Sequence, residues 1–145
     1  MPADGGSELL VIEPAGIYAR RRPAVVDASV IASILFEEGR RPQALAALEA
    51  LELHAPDLLD HELVSVALKK SRAGFDGTAR EGLRLLAELE IARHRVSPLA
   101  QWMRASDDGL SGYDAAYLAL AVEFGYPLVT FDQKLGAAAR SLLQG

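Results

Sequence analysis

Short apolar runs alternate with segments of helical spacing along most of this chain, and this alternation restricts the fold more than any other feature of the sequence. The runs Ala24 to Val26, Leu53 to Ala55 and Leu128 to Thr130 have the length and composition of buried strands. Strands that alternate with helices tend to pair in parallel and to be covered on both faces. We therefore predict an α/β fold, an α/β/α sandwich with a mostly parallel central sheet.

Capping and turn residues indicate where further elements begin. Pro42 suits the first turn of a helix that would extend to Leu51. Thr78 with Glu81 resembles a capping box for a later helix. The segment Arg95 to Ser97 is predicted to be a strand because β-branched and polar residues there precede a proline.

The length of 145 residues is that of one ordinary domain, and the regular apolar pattern begins at Pro23. We predict a folded domain over residues 23–145 and an N-terminal extension over residues 1–22, in which Leu9 to Ile12 would either add an edge strand or remain mobile. The apolar runs are shorter than a membrane helix requires, and the N-terminus lacks the positive charge of a secretory signal. With no cysteine in the chain, we expect a cytoplasmic protein without disulfides, thiolate metal sites or a membrane span.

The formal net charge of −5 argues against a domain that holds nucleic acid through a broad positive surface. Basic residues are nevertheless clustered within residues 20–22, 40–41 and 69–72. Each cluster is interpreted either as solvated surface charge or as a local contact with nucleic acid.

Two acidic residues fall on the apolar faces of predicted helices. Within the stretch Leu110 to Ala121, which begins with a capping serine, Asp114 shares a face with Tyr117. Glu62 lies on the apolar face of a helix predicted over residues 58–70. An isolated buried charge is costly, so each carboxylate must be paired, protonated or bound to a cation. Asp114 could instead serve only as the acid of a capping box.

Two further acids follow predicted parallel strands directly, and both are therefore expected at the same edge of the sheet. These are Asp27 and Asp132, either of which could be only a helix N-cap. One shared site explains four such carboxylates better than four coincidences, and Mg²⁺ and Mn²⁺ prefer oxygen ligands. Metal sites of this kind hydrolyse phosphodiesters without a nucleophilic side chain. We predict that the catalytic and metal-binding residues are Asp27, Glu62, Asp114 and Asp132.

The remaining functional residue types form no comparable motif. His54, His61 and His94 lack the spacing of metal ligands and are interpreted as surface or half-buried side chains. Trp102, Tyr113 and Tyr117 are interpreted as core residues or, alternatively, as platforms on which bases stack.

Four blocks of this sequence resemble the motifs of PIN-domain proteins, most closely the VapC toxins of type II toxin–antitoxin modules. The blocks are Val25 to Val30, Pro56 to Glu62, Leu110 to Ala121 and Pro127 to Asp132. Their order and spacing carry the resemblance, which extends from residue 24 to near the C-terminus. It implies a PIN-like α/β/α sandwich and a Mg²⁺- or Mn²⁺-dependent endoribonuclease that hydrolyses RNA.

The resemblance also implies roles for individual residues and partners. By matching motif, the metal-binding acids would be Asp27, Glu62, Asp114 and Asp132, and the supporting hydroxyls would be Ser29 and Thr130. The protein would be a homodimer held inactive by a cognate antitoxin. The sequence departs from the family pattern in its 22 additional N-terminal residues and in His61, which precedes Glu62.

Three other functions would use similar features. A PIN-fold RNA-processing nuclease without an antitoxin would have the same site. A receiver-type phosphoacceptor signalling domain also has an acidic Mg²⁺ pocket, but it needs an acidic pair near its first strand, and Asp27 stands alone there. A catalytically silent binding module would not require all four acids.

Overall fold

The computed structural model describes residues 8–14, 22–36 and 39–145. These residues form five strands, β1 (Leu10–Ile12), β2 (Arg22–Val26), β3 (Leu51–Pro56), β4 (Ile91–His94) and β5 (Leu128–Thr130). They also form seven helices, α1 (Ala28–Leu35), α2 (Arg41–Leu48), α3 (Leu59–Arg72), α4 (Asp76–Leu86), α5 (Pro98–Asp108), α6 (Gly112–Phe124) and α7 (Gln133–Leu143).

The strands form one sheet in the order β1-β5-β2-β3-β4. The pairs β5–β2, β2–β3 and β3–β4 are parallel, whereas β1 pairs with β5 in the antiparallel direction. The residues Ala24, Val25 and Val26 of β2 are all fully buried. Because successive strand residues point to opposite faces, the sheet is covered on both faces. The predicted α/β/α sandwich with a mostly parallel sheet is thus confirmed.

The order of the strands creates a switch point between β2 and β5. From β2 the chain continues to β3 and β4 on one side, and it then returns to β5 on the other side of β2. Ligands of open α/β sheets bind at the carboxyl ends of strands at such a point. Val26 is paired with Val129, so the residues that follow, Asp27 and Thr130, are neighbours at this edge.

The N-terminal patch adds an edge strand, which was one of its two predicted outcomes. Ile12 is only 2% exposed and belongs to the hydrophobic core. Leu10 packs against Gly136 of α7 so closely that a Cβ at this glycine would clash with the leucine side chain. Residues 1–7 and 15–21 of the predicted extension, which include Arg20 and Arg21, lie outside the described residues.

Two predicted element boundaries near α2 and α4 are wrong. Leu51 does not continue α2, because it begins β3, where it pairs with Arg22. The capping box at Thr78 does not form, since α4 begins two residues earlier, after Phe75, and that residue offers no side-chain cap. Local helical spacing therefore located both helices but not their ends.

The prediction of a strand at Arg95 to Ser97 is also wrong. The strand lies earlier, because β4 is in register with β3 from Ile91 opposite Leu53 onward. Ser97 instead caps α5, its hydroxyl accepting a hydrogen bond from the backbone of Ala100 at 3.4 Å. Pairing with a neighbouring strand thus overrode the local sequence pattern.

Helix α6 passes through the centre of the molecule. It packs across β2, β3 and β5, and every residue from Ala115 to Ala121 is buried. Its alanines allow the sheet and the neighbouring helices to approach on all sides, whereas an amphipathic helix would bury one face only. No helix in the described part of the chain has the length and apolar character needed to cross a membrane.

Candidate active site

Asp27 lies at the carboxyl end of β2 and is only 5% exposed. Two hydroxyl groups, those of Ser29 and Thr130, donate hydrogen bonds to its Oδ2 atom, each at 2.8 Å. Asp27 occupies the N-cap position of α1 but makes no side-chain capping bond. The interpretation of Asp27 as only a helix cap is therefore wrong.

The two hydroxyls are themselves held by the chain after β5. The backbone N–H of Phe131 donates to Ser29 Oγ at 3.2 Å, and the N–H of Asp132 donates to Thr130 Oγ1 at 2.9 Å. Since each hydroxyl oxygen accepts a backbone bond, its own proton is free to point at the carboxylate. The two strand ends are thus joined around one buried carboxylate.

Asp132 has two roles in the structure. Its Oδ1 atom accepts a hydrogen bond from the backbone N–H of Leu135 at 2.9 Å, so it is the N-cap of α7. It also lines the same cavity as Asp27. The capping interpretation is correct for Asp132, but capping alone does not explain why this side chain also lines the acidic cavity.

Asp114 and Glu62 come from the first turns of α6 and α3. Ser111 caps α6 by accepting a hydrogen bond from the backbone N–H of Asp114 at 3.1 Å, as the sequence predicted. Glu62 is half-buried, and its Oε1 atom accepts a hydrogen bond from the hydroxyl of Tyr117 at 2.6 Å. One helix therefore contributes Asp114 directly and contacts Glu62 through Tyr117.

The four acids line one cavity of about 470 Å³ at the switch point between β2 and β5. Ser29 also lines it, whereas Thr130 lies fully buried behind Asp27. The exposed side chains of His61 and Tyr113 lie at the same cavity. The structure thus brings together residues that are separated by more than a hundred positions in the sequence.

The carboxylates perturb one another. Burial raises the pKa of Glu62 to about 7, with repulsion from Asp27 and Asp114 adding to the shift and the Tyr117 hydrogen bond opposing it. Burial raises the pKa of Asp27 as well, although the hydroxyls of Thr130 and Ser29 oppose the shift. Burial and repulsion from Asp27 and Asp132 raise the pKa of Asp114. The cavity is therefore short of positive charge.

This donor set fits a hard divalent cation in its chemistry. All four side chains offer carboxylate oxygens, the ligands that Mg²⁺ and Mn²⁺ prefer, and their mutual repulsion would be relieved by positive charge. Within the described ranges, no group of three or more acidic or histidine side chains is already arranged as a metal site.

Two neighbours of the acids were missed by the sequence-based prediction. Tyr117 is a core residue, which is one of its two interpretations, but its hydroxyl also donates a hydrogen bond to Glu62. Its position three residues after Asp114, on the same helical face, is the signal that could have identified it. Lys134, in the first turn of α7, lowers the pKa of Asp114 and so lies within electrostatic reach of the cavity.

The interpretation of His54 as a surface or half-buried residue is wrong. Its side chain is buried, with Nδ1 at 2.8 Å from Nε2 of His94 and Nε2 at 2.7 Å from a carboxylate oxygen of Glu52. These hydrogen bonds satisfy both ring nitrogens. His94 is half-buried as expected.

Comparisons with known proteins agree with this architecture. The family model of the PIN domain matches residues 24–141. A protein named VapC ribonuclease Mb0985 from Mycobacterium bovis is 34% identical over 113 residues, which cover 77% of this chain and 87% of that protein. Ribonuclease VapC3 from Pyrobaculum aerophilum is 37% identical over 119 residues, covering 77% and 90%.

Solved structures show the same fold. The crystal structure of PAE2754 from Pyrobaculum aerophilum matches with a TM-score of 0.64 at 24% identity, over 83% of this chain and 87% of that one. VapC20 of Mycobacterium tuberculosis, described as a sarcin-ricin loop cleaving toxin, matches with a TM-score of 0.60 at 18% identity, over 79% and 94%. The family match over most of the chain and the shared fold place the acidic cavity on a known scaffold, and the chain belongs to the PIN-domain family.

Proposed function

We propose that this protein is a Mg²⁺- or Mn²⁺-dependent endoribonuclease and the toxin of a type II toxin–antitoxin module. The observation that supports this proposal best is the cavity that Asp27, Glu62, Asp114 and Asp132 line together. Four carboxylates in a partly buried space would repel an RNA phosphate unless cations or protons neutralised them. The names of the relatives, which are VapC ribonucleases, support RNA as the substrate.

Each acid has a distinct part in this proposal. Asp27, the most buried of the four, is held rigidly by two hydroxyls and would fix one side of the ion site. Asp114 and Asp132 are half-buried at helix starts and would complete it from two further elements. Glu62, with its pKa near 7, would exchange its proton for the cation at neutral pH. When bound, the cation supplies the positive charge that activates water and stabilises the phosphate oxygens.

RNA cleavage by an Asp114→Asn variant tests the proposal. We expect purified wild-type protein to cleave total RNA with Mg²⁺ or Mn²⁺ and not with a chelator. The variant should lose cleavage by at least about 100-fold, since the amide preserves the shape of the side chain and removes its charge. Asp76→Asn is the matched control, because Asp76 also lies in the first turn of a helix but is exposed and does not line the cavity.

The outcome separates the catalytic role from a capping role. If Asp114→Asn unfolds more easily than the wild type but retains full activity per folded molecule, its role is structural and the proposed site is wrong. If wild-type cleavage persists unchanged in the chelator, the metal dependence is wrong.

We propose that the antitoxin neutralises the cavity with a basic side chain. A guanidinium satisfies a carboxylate cluster much as a cation does, because it forms bidentate charge-assisted hydrogen bonds. We expect the product of an adjacent reading frame to inhibit cleavage and to lose inhibition when the arginines and lysines of its bound segment are replaced. Equal inhibition after these replacements would contradict this route. Absence of any inhibiting neighbour would favour an RNA-processing nuclease that has no antitoxin.

We also propose that the protein is a homodimer. Helix α5 supports this proposal, because none of its residues is buried in the single chain and its apolar side chains Leu99 and Trp102 are each 64% exposed. Sedimentation equilibrium should give the mass of two chains for the wild type. A mass of one chain at all concentrations would contradict the proposal.

A further inference from the structure

The hydrogen bond between Tyr117 and Glu62 joins two elements across the candidate site. Tyr117 lies in the buried central part of α6, and its side chain is completely inaccessible to solvent. Its hydroxyl donates to Glu62 Oε1 at 2.6 Å, a length typical of a strong bond between a hydroxyl and a carboxylate. A buried ring cannot swing away, so the donor stays in place.

Glu62 needs such a donor, because it lacks the other contacts that hold Asp27 and Asp132. Asp27 is held by two hydroxyls, and Asp132 is held by the backbone of α7. Glutamate has one more rotatable bond than aspartate, and freezing that bond in one geometry costs conformational entropy. Tyr117 is the only described group that hydrogen-bonds the Glu62 carboxylate, and it occupies one of the two carboxylate oxygens.

The backbone of α6 makes this arrangement possible. Asp114 and Tyr117 are three residues apart and therefore lie on the same side of the helix. Asp114 lines the cavity from the first turn, whereas Tyr117 reaches toward α3 from the second. One rigid helix thus places one acid itself and determines the orientation of another.

We propose that Tyr117 is a positioning residue that holds Glu62 Oε1 so that the remaining oxygen, Oε2, faces the cation site. This inference depends on the proposed function, since it assumes that the cavity binds a divalent cation. Hydrogen bonds to metal ligands orient those ligands, and their loss lowers metal affinity by about 10- to 100-fold. Tyr117 itself does not contact the substrate or the cation in this proposal.

Measurement of Mn²⁺ affinity in a double-mutant cycle tests this role. Electron paramagnetic resonance of free Mn²⁺ gives the dissociation constant for the wild type, Tyr117→Phe, Glu62→Gln and the double variant. We expect Tyr117→Phe alone to weaken binding by about 10-fold or more, and to have no further effect when Glu62 is already replaced. Tyr126→Phe is the control, since this half-buried tyrosine packs against His54 outside the cavity.

The possible results separate this inference from the proposed function. Unchanged Mn²⁺ affinity in Tyr117→Phe, with saturable binding by the wild type, overturns the positioning role only. Equal losses in both backgrounds also overturn it, because Tyr117 would then act on the fold rather than through Glu62. No saturable binding by the wild type overturns the metal site and this inference with it.

A second measurement leaves Tyr117 intact and so does not depend on the folding of its variants. Addition of Mg²⁺ should perturb the ultraviolet absorbance of a buried tyrosine as its carboxylate partner becomes a metal ligand. Tyr113→Phe removes the other tyrosine that lines the cavity, and we expect the difference spectrum to persist in this variant. We expect no such spectrum in Glu62→Gln. A spectrum that survives in Glu62→Gln would contradict the proposal.

Discussion

At the scale of single residues, Glu62 retains a proton at a pH at which an exposed glutamate has lost it. Its pKa is raised from the usual 4.5 to about 7, and the pKa values of Asp27 and Asp114 are raised as well. Between pH 4.5 and 7 Glu62 therefore binds more protons in the folded protein than in the unfolded chain. Its contribution to the free energy of unfolding decreases as the pH rises through this range.

We predict that the metal-free protein is less stable at pH 7.5 than at pH 5, and that Glu62→Gln reduces this difference. Glutamine keeps an oxygen for the Tyr117 hydroxyl but removes the charge that Asp27 and Asp114 repel. Urea unfolding in a chelator at several pH values measures the effect, with the exposed Glu88→Gln as the control. A pH dependence that is identical in wild type and Glu62→Gln would contradict the prediction.

The sequence could predict which acids gather but not what holds each one. Asp27 and Asp132 were expected at one edge because each ends a parallel strand, and local pattern is enough for that inference. Thr130 donates to Asp27 across 103 positions, and Tyr117 donates to Glu62 across 55. Contacts between such distant residues leave no periodic signal. Only the resemblance pointed to Thr130, and the spacing of Tyr117 from Asp114 placed its ring on the face of the acid without identifying Glu62 as the partner of its hydroxyl.

At the scale of elements, the N-cap residue of α7 has two roles. Asp132 caps the helix through Leu135 and also lines the acidic cavity. Asparagine caps a helix about as well as aspartate, whereas alanine cannot accept the capping bond. Substitutions at this position can therefore separate the effect of the capping hydrogen bond on stability from the effect of the carboxylate charge.

We predict that Asp132→Ala lowers the free energy of unfolding of the metal-free protein by about 1 kcal/mol, whereas Asp132→Asn does not lower it. Thermal unfolding in a chelator measures both values. Both variants should gain less stability from Mg²⁺ than the wild type does. If Asp132→Asn is as destabilised as Asp132→Ala, the charge rather than the hydrogen bond stabilises α7.

The edge strand β1 provides a second test at this scale. Ile12 is buried in the core, whereas its neighbour Val11 is 43% exposed and points to the opposite face. We predict that Ile12→Ala lowers the free energy of unfolding by about 2–5 kcal/mol, and Val11→Ala by less than about 0.5 kcal/mol. Urea unfolding compares the two variants. Equal small effects would show that β1 contributes little, as expected if residues 1–22 were only an extension.

Element identity was largely predictable, whereas element boundaries were not. The three inner strands β2, β3 and β5 were predicted from short apolar runs, since burial on both faces requires such runs. The position of β4 could not be found in this way, because only Ile91 of its four residues is buried and the strand includes Arg93 and His94. Pairing with β3 determines where β4 lies, and pairing is not visible in a local pattern.

At the scale of the whole molecule, the fold holds like charges together at one edge of the sheet. The chain carries a net charge of −5. In the cavity the acids also repel one another, and the packed elements that carry them keep them close together. Functional sites of this kind reduce the stability of the protein that contains them. A ligand that binds only the folded state recovers stability in proportion to the logarithm of its concentration.

We predict that Mg²⁺ raises the melting temperature of the wild type, and that at one hundred times its dissociation constant it adds about 2.7 kcal/mol to the free energy of unfolding. Asp27→Asn should respond much less, because the most buried acid of the cavity has lost its charge. Asp57→Asn is the matched control, since Asp57 also follows a parallel strand at this edge but is exposed and does not line the cavity. Differential scanning calorimetry in a chelator and in Mg²⁺ measures all three proteins. If Mg²⁺ stabilises Asp27→Asn as much as it stabilises the wild type and Asp57→Asn, the cation binds elsewhere and the shared carboxylate site is wrong.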